Sequence, residues 1–467
     1  MMRMAHNVRV LLLNPPFSKP IIRDNYCCFT SKSGYIWPPV DLLYLSGVLH
    51  HPDVELSVID AVVSKQTWDD VYSHIRSQQT EIVICLTGTA SFKEDMQGAS
   101  LLKILGVERI YVLGNAPVFR PKEFLHQFSF IDGVLHNFFD PAVLPLINED
   151  RVVTSSISHR LKNGQISIGQ VNYLPLNSEI VVHSVPQYRK FPLSSYSTPI
   201  ARKKPLATVL TTFGCPFSCK FCIASALRYY TRDINDLKRE FDALSRVGVR
   251  EIFFQDSTFN SQPERFRTLL HLLIKHKYGF SWSANIHSYY LTEEILALMK
   301  QAGCHTVQIG VESGNQATLD AYAPSKRKPN LRAVFRLCKK VGIRTLGYFI
   351  IGFPSETVNS AQQTIDFAKK LDPDFASFSV MTPDYGTALY TKAVADHLFP
   401  DLPLTSFDAS RKAVLKNIHM TPKLQDRMIR KAYRDFYLRP TQIWKYLVDW
   451  RYLIHYLKNG LYLFSRS

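Results

Sequence analysis

The stretch TTFGCPFSCKFC, residues 211–222, holds Cys215, Cys219 and Cys222, three of the eight cysteines in 467 residues. Thiols gathered this closely in a reduced protein usually bind metal or do redox chemistry. A structural zinc site is closed by four ligands, so zinc here would have to recruit Cys304, His305 or another distant residue. An iron–sulfur cluster also usually takes four thiolates, and three leave one iron with an open position. An open position is what a catalytic metal needs, because substrate or cofactor enters there. Chance gives three cysteines this spacing in roughly 0.002 of such chains. Gly214 before the first cysteine and Pro216 after it bend the chain, as wrapping thiolates around a cluster requires. Spacing reaches this far and does not name the cofactor.

Other residues carry a chemical reading beside a plain one. Asp256, in FFQDSTF (253–259), could accept hydrogen bonds from an ammonium group or cap the next helix. Glu312 follows the apolar run VQIGV, where an unpaired carboxylate is costly, so it needs a ribose, an ammonium or a structural Arg or Lys. Gly352 and Pro354, in GYFIIGFPSET (347–357), let backbone approach a flat ring or simply make a turn.

The elements that position these residues are readable from apolar runs. VRVLLLN (8–14), ELSVIDA (55–61), EIVICLTG (81–88) and RIYVLGN (109–115) read as buried parallel strands. Helices are expected near 41–51, 66–77 and 92–105 between them, giving a doubly wound domain over residues 1–150. Ligands on such sheets sit at the strand C-termini. Those ends carry Asn14-Pro15-Pro16, Asp60, Thr87-Gly88-Thr89 and Gly114-Asn115. Residues 151–199 read as a linker. Over 200–390, strands are expected at 206–212, 250–255, 279–284, 305–311, 344–351 and 375–381, with helices between them. Asp233 and Thr292 stand where helix caps belong. Six such units predict a partial (β/α)6 barrel of TIM type, with chemistry at its strand C-termini. Residues 391–467 are helical and aromatic. In WKYLVDWRYLIHYLKNGLYLF (444–464), Leu447, Ile454 and Leu461 recur every seven residues, as an amphipathic helix requires. It either packs on the barrel or lies on a membrane surface.

The net charge is +17, and residues 411–467 carry 13 Lys/Arg against 3 Asp/Glu. Such a tail suits an anionic surface or is a solvated basic face. The N-terminal apolar run is short for a signal peptide, and no uncharged run approaches the roughly 18 residues of a membrane span. A cytoplasmic location is expected, with peripheral contact to the inner membrane face as a second reading.

GCPFSCKFC has the CxxxCxxC form with an aromatic, Phe221, before the last cysteine, and resembles the motif of the radical S-adenosylmethionine (SAM) enzymes. Further matches follow in order. FFQDSTF resembles the segment that receives the SAM amino group. VQIGVESG (307–314) resembles the motif whose Glu and Ser, here Glu312 and Ser313, contact SAM. GYFIIGFPSET resembles the motif packing on adenine, and TPDYGTALY (382–390) the segment closing the barrel. LLLNPPF and WPPVDLLYLSGVL (37–49) resemble the N-terminal cobalamin-binding domain of the subgroup called class B, as does YRDFYLRP (433–440) in the tail. The resemblance implies a 4Fe–4S cluster on Cys215, Cys219 and Cys222. It implies SAM held by Phe221, Asp256, Ser257, Glu312, Ser313, Gly352 and Pro354. Cobalamin would lie at Asn14, Pro15, Thr87, Gly88 and Gly114.

Departures are also visible. Ser257 stands where the subgroup has a second acidic residue, His287 where it has an Arg, and Ser355 where it has a Gly. The usual Gly-Gly is Gly114-Asn115, and the later Gly-Glu pair is His136-Asn137. There is no DxHxxG, so no histidine is set to ligate cobalt from below. The domain could instead serve as a scaffold or bind substrate. Cys27 and Cys28 receive no role. His287, on the catalytic rim, is the candidate for a substrate or SAM contact.

What the resemblance implies is SAM cleavage to a 5′-deoxyadenosyl radical that removes hydrogen from an unactivated carbon. The expected outcome is cobalamin-dependent C-methylation of a small or lipid-like, hydrophobic metabolite. Oxidative cyclisation or rearrangement is the alternative, and a metal-stapled RNA- or membrane-binding module the remote one. A flavodoxin- or ferredoxin-type one-electron donor is the expected partner, and no nucleic acid.

Overall fold

The computed structural model describes residues 7–32, 34–149, 156–161, 163–170, 180–181, 184–400, 404–408, 410 and 412–448. The first sheet has seven strands. Val8–Asn14 lies between Val54–Asp60 and Ile82–Leu86, followed outward by Arg109–Leu113 and Gly133–Leu135, all parallel. Register puts Asn14 beside Asp60, so the strand ends form one rim. The sheet continues past residue 150: Ile157–Arg160 and Ile166–Ser167 add antiparallel strands from within the expected linker. Helices Val40–Val48, Trp68–Gln78 and Phe92–Ala99 cover its faces.

The second sheet is a six-stranded parallel barrel segment in sequence order: Leu206–Val209, Glu251–Phe254, Ser281–Ile286, Cys304–Glu312, Arg344–Ile351 and Phe375–Val380. Its helices are capped as the sequence suggests. Asp233 accepts from the backbone N–H groups of Asn235 and Asp236, and Thr292 accepts from that of Ile295. Each cap satisfies an orphan donor and fixes where the βα loop ends.

One apolar core runs through both halves. Val10, Leu12 and Tyr44 of the first sheet share it with Phe213, Phe254 and Trp282 of the second. At the junction, fully buried Arg232 pairs with Asp236 and Glu240, while Tyr44 and Tyr188 donate their hydroxyls to Glu240. Buried charge survives there because every member is paired. The two halves are therefore held in one orientation, with the rim of the first sheet turned towards the mouth of the second.

Helix Pro422–Tyr437 closes the open edge of the barrel. The Tyr437 hydroxyl accepts from Ala376 N (3.0 Å) and donates to Ala376 O (2.8 Å). The Tyr433 hydroxyl does the same at Phe378 (3.2 and 3.1 Å). Two phenols thus take the place of a neighbouring strand. Helix Pro440–Val448 begins the basic aromatic tail and is docked by Lys445 on Asp372 (2.8 Å), leaving Trp444 exposed. Ile454 and Leu461, and with them most of the expected amphipathic stretch, lie outside the described residues. Among the described residues no helix is long and apolar enough to cross a membrane.

Candidate active site

The cysteine loop leaves the first barrel strand through Thr212–Phe213, which pairs antiparallel with Tyr230–Arg232, so the loop is closed at its base. Gly214 opens it at φ +65°, and a Cβ there would stand 2.5 Å from the Arg228 carbonyl oxygen. Only glycine fits. Beyond it the backbone is stitched down. Ser225 Oγ donates to the carbonyls of Cys219 and Cys222, both at 2.6 Å. Lys220 N bonds Tyr322 O (2.9 Å), and Leu389 N bonds Lys220 O (2.8 Å), tying the loop to segments after the fourth and sixth strands. The three cysteines are free and half-buried. Burial pushes the Cys219 and Cys222 thiols up to about 12, and for Cys219 the nearby Glu312 carboxylate adds to this. Thiols so placed resist ionisation unless a cation neutralises them, as a bound iron cluster does. Among the described residues no three His, Cys, Asp or Glu side chains converge as ligands of one metal ion.

Asp256 lies two residues beyond the second strand, fully buried. It does not cap the next helix, which starts at Pro263. Its Oδ1 accepts four bonds, from the N–H and hydroxyl groups of Thr211 and Thr212 (2.6–2.9 Å). Its Oδ2 is buried with no partner. Burial raises the Asp256 carboxyl above the usual range despite those donors. An oxygen left bare beside a metal loop is a seat for an ammonium or hydroxyl group. Ser257, half-buried, follows it, and Thr258 Oγ1 stands 3.6 Å from Cys215 Sγ.

Glu312 closes the fourth strand at φ +64°, where the register with the fifth strand shifts. A Cβ on Gly310 would lie 2.2 Å from Glu312 Oε1, so the carboxylate lies across that glycine. Left-handed backbone in a glutamate is strain of the kind that collects at functional sites. Burial raises the Glu312 carboxyl and Lys326 lowers it. Ser313 is turned inward: its hydroxyl meets Thr364 Oγ1 (3.1 Å) and accepts from Asn315 N (3.1 Å). Gly352, at φ +101°, faces Gln425 Oε1, which a Cβ would meet at 2.3 Å. Pro354 accepts from Ile418 N (3.1 Å). Phe221 packs edge-on against Phe353 (5.8 Å), which stacks on Tyr322 (4.9 Å), so an aromatic wall stands beside the last cysteine.

His287 stacks on Phe217 of the cysteine loop (4.0 Å) and also lies near-parallel to Tyr289 (4.9 Å). Its Nδ1 accepts from Tyr289 N (3.2 Å), which leaves Nε2–H to donate to Ser325 Oγ (3.2 Å). Burial, then Lys326, pushes it down to about 2. It is a neutral imidazole supporting the loop, and burial opposes its taking up a second proton. Lys326 and Ser325 escaped the sequence reading. Lys326 is 6% exposed and acts on Glu312, Cys219 and His287 together. SKRK reads as a solvated charge run, and only the fold turns its first lysine inward.

The rim of the first sheet is filled by the chain itself. The hairpin Ile21–Arg23/Cys28–Thr30 lies over Asn14, Pro15, Thr87, Gly88 and Gly114. Arg23 bonds Asn14 Oδ1 (2.8 Å) and Pro15 O (3.0 Å) and pairs with Asp95 (2.6 Å), to which Thr87 also donates (2.6 Å). A Cβ on Gly88 would meet Cys28 Cβ at 2.4 Å. Gly114 N donates to Asn25 Oδ1 (3.1 Å). The residues expected to hold cobalamin thus all have partners within the chain itself.

Residues 209–368 match the family model described as the radical SAM superfamily. The chain is 28% identical over 443 residues to an uncharacterized methyltransferase of Pyrococcus horikoshii, spanning 93% of each. It is 24% identical over 393 residues to the anaerobic magnesium-protoporphyrin IX monomethyl ester cyclase of Rubrivivax gelatinosus, spanning 80% of this chain and 68% of that protein. The fold is also that of the radical SAM methyltransferase TsrM from Kitasatospora setae, whose structure holds cobalamin and a [4Fe–4S] cluster. That likeness has a TM-score of 0.68 at 16% identity, covering 92% of this chain and 85% of the other.

Proposed function

We propose that this chain, which belongs to the radical SAM superfamily, is a methyltransferase acting on an unactivated carbon of a small-molecule substrate. One observation carries the reading. A three-thiol loop stands beside an aspartate with one bare buried oxygen and a glutamate drawn across a glycine, all at the mouth of one parallel barrel. The loop fits a cluster with one open iron, and the bare Asp256 Oδ2 fits the amino group of SAM. When bound, the cluster and SAM supply a 5′-deoxyadenosyl radical.

The chain's own part is positioning. Thr211 and Thr212 hold Asp256 by Oδ1, which leaves its other oxygen for the ligand. Gly310 gives Glu312 room to lie flat, and Lys326 balances its charge. Phe221, Phe353 and Tyr322 form a wall suited to a purine, and His287 braces the loop from behind. Methyl transfer is supported by the full-length Pyrococcus relative and by the two-domain layout. Cobalamin dependence is supported by that layout.

The cyclase relative favours a second reading, oxidative cyclisation. SAM carrying a deuterated methyl group separates the two. With substrate-bearing extract, methyl transfer puts the label into a product carbon. A cyclase yields 5′-deoxyadenosine and an unlabelled product, and that result would replace the first reading by the second.

A further inference from the structure

The hairpin Ile21–Thr30 touches both halves of the molecule. On the rim side Arg23 makes the bonds to Asn14, Pro15 and Asp95 described above and a further one to Ser91 Oγ (2.9 Å). Both members of the Arg23–Asp95 pair are fully buried. On the barrel side Asp24 Oδ2 accepts from Gln255 Nε2 (2.8 Å), one residue before Asp256. Tyr26 OH accepts from Gly214 N (3.4 Å), at the entrance to the cysteine loop. A clamp holds the outer end. Thr30 N donates to Asp408 Oδ2 (3.2 Å), and Phe407 N donates to Thr89 O (3.0 Å).

Ligands of an open α/β sheet lie outside its strand C-termini. A cofactor reaching from that rim to a substrate at the barrel mouth must occupy the gap between them. The hairpin stands in that gap, bonded to the rim through Arg23 and to the barrel through Asp24 and Tyr26. Its packing there is not fully satisfied: Ser31 Oγ, Asp41 Oδ1 and Gln255 Oε1, in or against the hairpin, are buried without partners. Bare polar atoms in an otherwise paired network mark a packing that has a competitor.

We propose that the hairpin is an internal occupant of the cobalamin crevice, so that cobalamin binding and hairpin docking exclude each other. This rests on the cobalamin-dependent form of the methyltransferase reading. Holding the crevice shut keeps water off the barrel mouth until the cofactor arrives. Cobalamin affinity is lowered by the fraction of molecules that are closed.

The test is hydrogen exchange of the full, cluster-reconstituted chain with and without hydroxocobalamin, with cobalamin binding read by gel filtration and absorbance. The amides of Asp24 and Ser31, bonded to Cys27 O and Pro20 O, are the reporters. The expected result is exchange at least tenfold faster at residues 20–31 once cobalamin binds. Asp408→Ala, which loosens the half-buried clamp, is expected to tighten cobalamin binding about tenfold. Cobalamin bound with hairpin exchange unchanged or slowed overturns the exclusion and leaves the methyltransferase reading standing. No binding by wild type but binding by Asp408→Ala or Arg23→Met supports it. No binding by any of the three overturns the exclusion and removes cobalamin from the reading as well.

Discussion

Asp256 shows how one carboxylate does two tasks with its two oxygens. Four donors lock Oδ1, and Oδ2 is left buried without a partner. Asp256→Asn keeps the lock and removes the charge. SAM binding measured by calorimetry on the reconstituted protein is expected to weaken by about 1.5–3 kcal/mol, tenfold or more in Kd, with iron content unchanged. Unchanged affinity would make Asp256 purely structural. His136 illustrates the opposite case, a histidine that the fold keeps neutral. Burial takes it from 6.5 down to about 4, with its Nε2 on Ser158 Oγ (2.7 Å). The unfolded chain takes up a proton near pH 6.5 and the folded chain does not until about 4. Its contribution to stability is therefore whole above 6.5 and is lost as pH falls through that window, by at most about 1.4 kcal/mol per pH unit. Urea titrations at pH 7 and pH 5 should show the loss, and His136→Gln should lack its share.

At the scale of elements, the barrel's open edge needs covering, and a helix does it with two hydroxyls. Tyr433→Phe or Tyr437→Phe strips the partner from a strand amide and carbonyl while keeping the ring. Each is expected to cost about 1–3 kcal/mol in chemical denaturation, the size of an unmet buried bond. A cost near zero would mean water replaces the phenol. The strands themselves were legible in the sequence, because parallel strands buried on both faces read as unbroken apolar runs. Asp233 and Thr292 were legible as caps by residue type and place. The hairpin was not. FSKPIIRDNYCCFTSK has no period, and its role comes from partners far along the chain, Asp95 for Arg23 and Gln255 for Asp24. The partners of Tyr433 and Tyr437, Phe378 and Ala376, likewise lie far along the chain and are not legible in YRDFYLRP itself.

At the scale of the molecule, the site is assembled by a core that does not stop at the domain boundary. The Arg232, Glu240, Tyr44 and Tyr188 network fixes the angle between the sheets. The loop of Cys215, Cys219 and Cys222 is legible as a candidate from spacing, because three thiols in eight positions are a local property of one segment. Lys326 was not, since its neighbours Glu312, Cys219 and His287 come from three different βα units. Everything proposed for this molecule depends on that loop holding a cluster that cleaves SAM. The most direct measurement is anaerobic reconstitution followed by reduction in the presence of SAM. The expected result is about four irons per chain and release of 5′-deoxyadenosine, with Cys219→Ala releasing none. One tightly bound zinc per chain, with no 5′-deoxyadenosine from the wild type, would contradict it.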